Sequence, residues 1–145
     1  MLPSAHPEVD LHEQSPLNLA FVGDGVYELL VRQRLVERTR MQPGALHAAA
    51  VRYVSARGQC QALELFKDQL SGEELAVLRR GQNASKATVS KHATAQQYRA
   101  STGVEALFGW LYLRGENARI QQLFELVWQG LEQIAPPETS AQPKP

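Results

Sequence analysis

Apolar residues recur at helical spacing along most of this chain, and segments that alternate as strands do are few. Leu19, Val22, Val26, Leu29 and Leu30 predict a helix from about Leu17 to Val36, with fraying near Gly23 and Gly25. Its other side, with Ala20, Tyr27 and Val31, is apolar too, which predicts a central helix covered all round. Pro43 suits a first helical turn and opens a segment to about Ala56, continued through Phe66 with Gly58 as the break. Ser71 followed by Glu74 is a capping-box pattern for a short helix that Gly81 terminates. Gln82 to Ala93 is polar and basic, a loop or short irregular helix. A helix from about Thr94 to Arg114 closes at Gly115, and another, capped by Asn117, runs to about Ile134 before Pro136 and Pro137. The expected fold is all-α, with five to seven helices in residues 15–134. Residues 1–14 and 135–145 lack periodicity and are expected to be flexible tails.

Composition narrows the class. A chain of 145 residues with 43% hydrophobic residues holds one core and little more. Cys60 has no second cysteine to pair with, so a disulfide scaffold is excluded. Met1 to His12 carries acids and prolines rather than a basic start and an apolar stretch, and with the lone cysteine this predicts a cytoplasmic protein. No run approaches the roughly 20 apolar residues of a membrane span.

Charge changes the picture more than its sum suggests. Fifteen Lys and Arg balance fifteen Asp and Glu, yet the signs are segregated. From Leu29 to Leu63 six arginines face one acid, Glu37, and from Leu75 to Val104 five cations face none. Such windows fit a basic surface beside acidic clusters, or ordinary solvated helix faces.

Two carboxylates stand out. Asp24 lies on the central helix between two glycines, each costing about 1 kcal/mol relative to Ala and so pointing to close approach of a backbone or a ligand. A carboxylate on a covered helix needs an ion pair, hydrogen bonds or a metal; the plain alternative is a salt bridge to Arg52 or Arg57. Glu105 shares its helix side with Tyr98, Ser101, Thr102, Gly109 and Tyr112, a polar stripe that fits a cavity, while Val104, Leu107, Trp110 and Leu111 form the core side. Packing that stripe against Asp24 gives two hard oxygen ligands, suited to Mg²⁺ or Mn²⁺. The four histidines lack metal-ligand spacing, no phosphate-binding Gly-x-x-x-x-Gly-Lys loop is present, and no Ser, Cys and His pattern marks a nucleophile. Cys60, Trp110 and Trp128 are assigned to packing.

The segment Leu19-Ala20-Phe21-Val22-Gly23-Asp24-Gly25-Val26-Tyr27-Glu28-Leu29 resembles the signature helix of the ribonuclease III family, and Glu105-Ala106-Leu107-Phe108-Gly109 resembles its second acidic motif. Arg79-Arg80-Gly81-Gln82-Asn83-Ala84 and Tyr98-Arg99-Ala100-Ser101-Thr102 are similar to the short bacterial branch of that family, which consists of the endonuclease domain alone. The resemblance spans roughly Ser15 to Leu131. It implies a homodimer that hydrolyses double-stranded RNA, with Asp24 and Glu105 as catalytic metal ligands for Mg²⁺ (or Mn²⁺), and by analogy a part in maturing a large-subunit ribosomal RNA precursor. Two further acidic positions of longer members fall on Ala20 and Thr102, which bears on how many ions each site holds.

The chemistry so implied is in-line attack of a metal-activated water, leaving 5′-phosphate and 3′-hydroxyl ends, with no protein nucleophile. Because duplex RNA hides its base edges, recognition falls to phosphates and 2′-hydroxyls, and Arg79, Arg80, Asn83, Lys86 and Lys91 are the residues assigned to it. Glu28 either supports the site or pairs with an arginine, and His47 and Gln59 are read as structural. The competing readings are a catalytically inactive RNA-binding or ribosome-associated module of the same fold, and a helix-turn-helix DNA binder, for which Arg79 and Arg80 are a weak match.

Overall fold

The computed structural model describes residue 11 and residues 13–86 and 93–134, which form six α-helices: α1 (Pro16–Arg38), α2 (Pro43–Val54), α3 (Ala56–Phe66), α4 (Gly72–Ala84), α5 (Ala95–Leu113) and α6 (Asn117–Ile134). A single 3₁₀ turn, Lys67–Gln69, links α3 to α4. The domain is all-α, as the periodicity predicts. Caps explain most boundaries. Ser15 accepts the Leu17 amide ahead of Pro16, and Ser71 with Glu74 and Thr94 with Gln97 form complete capping boxes. Gly115, at φ 76°, takes the left-handed conformation that ends α5.

The central helix is α5, not α1. Ala100, Ser101, Gly103, Val104 and the run from Ala106 to Leu111 are all buried, with α1, α3 and α4 packed around them. On α1 one side is buried by Leu19, Val26, Tyr27, Leu30, Val31 and Leu35, and the other stays bare: Phe21 is 84% exposed, with Leu17, Leu29 and Val36 also open. An all-round apolar helix therefore does not mean all-round burial within this chain. Nor does α1 fray at its glycines; it is continuous.

Close backbone crossings set the helix positions. A Cβ added at Gly23 would overlap the Glu105 carbonyl, and one at Gly109 would overlap the Leu19 carbonyl, so these two glycines let α1 and α5 touch backbone to backbone. Gly81 does not terminate α4, which continues to Ala84; the glycine is buried against α5, where a Cβ would stand 2.8 Å from Ala106 Cβ and 3.0 Å from Gly103 Cα. The break between α2 and α3 falls at Ser55 rather than Gly58, because the Ser55 hydroxyl accepts the Gly58 amide and caps α3. Aromatic contacts fill the space beneath: Tyr27 meets Phe108 and Phe124 edge-on, and Tyr53 stacks on Trp128. Trp110 and Trp128 are core residues, and Cys60 packs at the core's edge, half-buried.

Periodicity does not reveal one polar element of the fold. Glu74 is buried and accepts Arg119 Nε and Nη2, both at 2.8 Å, while Arg119 Nη2 also donates to the Gln69 carbonyl at 2.7 Å. The pair fastens the start of α4 to the start of α6, and the Arg119 hydrogen bonds hold the Glu74 carboxyl below its usual range. Removing one partner strands a buried charge. Arg119→Ala should cost about 3 kcal/mol of stability at neutral pH by urea denaturation. Since the folded pKa is depressed, the pair's contribution is complete above the ordinary carboxylate value of 4.5 and lost as pH falls through the folded value. The gap between variant and unmodified protein should therefore close in acid. A gap independent of pH would deny the pair this role.

Candidate metal centre

Asp24 and Glu105 meet where α1 and α5 cross. Gly23 presses against the Glu105 backbone, so the next residue of α1 must emerge beside the Glu105 side chain. Asp24 is exposed, Glu105 is half-buried, and the two carboxyl groups are within hydrogen-bonding reach. Burial pushes Glu105 up to about 7; the Asp24 charge adds to the rise, and a hydrogen bond from Gln59 opposes it. Among the described residues Asp24 makes no ion pair, so the salt bridge to Arg52 or Arg57 that the sequence allows does not form.

Two like charges held together without a cation favour a proton on one of them at neutral pH, and a divalent ion would relieve the same repulsion. The donor set fits: hard carboxylate oxygens, one of them open to solvent, are what Mg²⁺ and Mn²⁺ take from a protein while keeping waters and phosphate oxygens for the rest of the shell. Among the described residues no group of three or more His, Cys, Asp or Glu could hold a metal ion. Ala20 is buried, and Thr102 Oγ1 bonds to the Tyr98 carbonyl of its own helix at 2.9 Å and lies 3.3 Å from Ser85 Oγ.

The polar stripe on α5 is not a ring of hydroxyls around Glu105. Ser101, like Thr102, turns back to the Tyr98 carbonyl, and Gly109 faces α1. The residue that does reach Glu105 is Gln59, whose Nε2 donates to Glu105 Oε2 at 3.2 Å. Its separation from Glu105 by 46 positions hides it from any local spacing rule. Glu28 pairs with Arg32 one turn further along α1, at 3.1 Å, on a half-open surface rather than in a buried pair.

Arg79, Arg80, Asn83 and Lys86 are exposed at the end of α4, and none of the three cations has an ion pair among the described residues. Arg80 donates to the Gln14 carbonyl at 3.3 Å. Ser85 beside Thr102 places this end of α4 one turn of α5 before Glu105. Lys91 lies outside the described residues. In the first basic window two arginines are paired rather than free: Arg32 with Glu28, and Arg34 with Glu125 at 2.8 Å.

Residues 17–116 match the family model described as "Ribonuclease III domain", so the chain belongs to the ribonuclease III family. Within it, the chain is similar to proteins named Mini-ribonuclease 3. It is 42% identical to that of Thermoanaerobacter sp. over 82% of this chain and 84% of the relative. It is 44% identical to that of Brevibacillus brevis over 78% and 87% of the two chains. A crystal structure of a Fusobacterium nucleatum protein superposes with a TM-score of 0.75 at 25% identity, covering 83% of this chain and 97% of that one.

Proposed function

We propose that this chain is a divalent-metal-dependent endoribonuclease that hydrolyses double-stranded RNA to 5′-phosphate and 3′-hydroxyl ends, its substrate a large-subunit ribosomal RNA precursor in the cytoplasm. The observation that carries the reading is the meeting of Asp24 and Glu105 on crossing helices, with Glu105 raised to about 7 beside its neighbour. The relatives named Mini-ribonuclease 3 support the ribonuclease part of this reading.

In this mechanism Asp24, exposed, and Glu105, half-buried, are the two residues that would hold the cation. A divalent ion bound there offsets charge developing on the phosphate and eases ionisation of water. The exposed end of α4, beside Thr102 of α5, would offer its cations to RNA phosphates, and the close crossing at Gly23 and Gly109 brings the two carboxylates together. The test is cleavage of duplex RNA with Mg²⁺ and its abolition by a chelator. No cleavage by the unmodified chain under any divalent ion sinks the reading and leaves a binding module of the same fold.

Arg79, Arg80, Asn83 and Lys86, with Lys91, are proposed to contact RNA phosphates. Arg79→Ala combined with Arg80→Ala should weaken RNA binding and lower the slope of log affinity against log salt by about one to two. An unchanged slope removes both from the RNA surface.

The bare side of α1 is proposed as the homodimer contact. Leu17, Phe21, Leu29 and Val36 leave apolar area in water that a two-fold copy of the same helix would cover. Sedimentation should find a dimer of the 16.1 kDa chain, and Phe21→Glu should shift it to monomer. A persistent monomer of the unmodified chain at micromolar concentration would contradict the dimer.

A further inference from the structure

Gln59 lies on α3, only 1% exposed, with Leu63 and Phe66 of the same helix in the core. Its Nε2 donates twice, to the Val54 carbonyl at 3.0 Å and to Glu105 Oε2 at 3.2 Å. The Val54 carbonyl can only accept, so it fixes which end of the amide is Nε2 whatever the protonation of Glu105, and the second amide proton is left for the Glu105 carboxylate. The other end of the amide, Oε1, is buried with no hydrogen-bond partner. A residue kept for packing alone would be Leu or Met, which fill a similar volume with no oxygen to leave unmet. This position tolerates the orphan oxygen while keeping a donor on Glu105.

The anchor behind the amide is rigid. Val54 is the last residue of α2, Ser55 caps α3 through the Gly58 amide, and a Cβ at Gly58 would overlap the Arg52 carbonyl. Gln59 thus forms a strut from the α2–α3 corner to the carboxylate on α5. Holding Oε2 restricts the plane of the Glu105 carboxylate, whose last torsion has only broad preferences of its own.

We propose that Gln59 is a positioning residue that presets Glu105 for a divalent cation shared with Asp24; this rests on the metal reading above. Partners of this kind, one step removed from the metal, typically change its affinity 10- to 100-fold when lost. The measurement is Mn²⁺ binding by isothermal titration calorimetry, without RNA, on the full chain and on Gln59→Met, which keeps the volume and removes the donor. The dissociation constant for Mn²⁺ should rise about tenfold or more, and the metal concentration for half-maximal cleavage should rise in step. The rate at saturating Mn²⁺ should stay within severalfold. Equal Mn²⁺ affinity in the variant, whatever its melting temperature, overturns the proposal and leaves Gln59 a packing residue. If Gln59→Met does not fold, Gln59→Asn, whose amide is one methylene too short to reach Glu105, is judged by the same criterion. Should the unmodified chain itself fail to bind Mn²⁺, the metal reading and this proposal fall together; binding that is indifferent to both substitutions removes this proposal alone.

Discussion

Asp24→Asn and Glu105→Gln are each expected to reduce cleavage of duplex RNA in saturating Mg²⁺ by ~10³-fold or more. A bound divalent ion supplies several kcal/mol of stabilisation to a phosphate transition state, and each 1.4 kcal/mol or so is a factor of ten in rate. With only two carboxylates among the described residues at the crossing of α1 and α5, losing either leaves one ligand and a weakly held ion. The losses should therefore not multiply. The double variant should cut about as slowly as either single one, as residues that act as a unit do. Both substitutions preserve shape, and Glu105→Gln removes a half-buried charge beside a like charge, so neither should lower the melting temperature of the metal-free chain. Cleavage by both variants at the unmodified rate, or losses that multiply in the double variant, would break the shared-ion reading.

Much of this arrangement can be read along the chain, and the parts that cannot have a common cause. Ser71 with Glu74 is legible because a capping box is a local pattern, and the structure forms both of its hydrogen bonds. Arg119, which holds the same Glu74, sits 45 positions away, so its pairing follows from how α6 packs. Gln59 belongs with Arg119 in this respect, as a contact to Glu105 that only the α2–α3 break makes possible. The bare side of α1 shows a second limit. Leu17, Phe21, Leu29 and Val36 are apolar in the same rhythm as the buried residues, and periodicity does not distinguish a face covered by the chain's own helices from one left to a partner. Gly81 shows a third: a glycine near the expected end of a helix fits a cap and a close crossing equally, and here Gly103 and Ala106 of α5 decide for the crossing.

The two glycines flanking Asp24 carry the same ambiguity and give it a sharp test. Each costs a helix about 1 kcal/mol relative to Ala, and the sequence offers no reason to treat them differently. In the structure they differ completely: a Cβ at Gly23 would overlap the Glu105 carbonyl and stand 2.8 Å from the Gly109 amide nitrogen, whereas one at Gly25 meets nothing within 4 Å. Backbone atoms cannot rotate aside as a flexible side chain can, so Gly23→Ala must push α1 away from α5, the most extensive helix contact in the domain. The expected loss is about 3 kcal/mol or more by urea denaturation, a large share of a stability that for domains of this size is typically about 5–15 kcal/mol. Gly25→Ala should instead leave chain stability unchanged or raise it by up to about 1 kcal/mol. Separation of the helices also separates Asp24 from Glu105. At a temperature where Gly23→Ala is still folded, its Mn²⁺ affinity should already be weakened, and its cleavage rate should fall further than the folded fraction does. If Gly23→Ala matches the unmodified chain in stability, α1 and α5 do not touch at that crossing, and the geometry that brings the two carboxylates together is wrong.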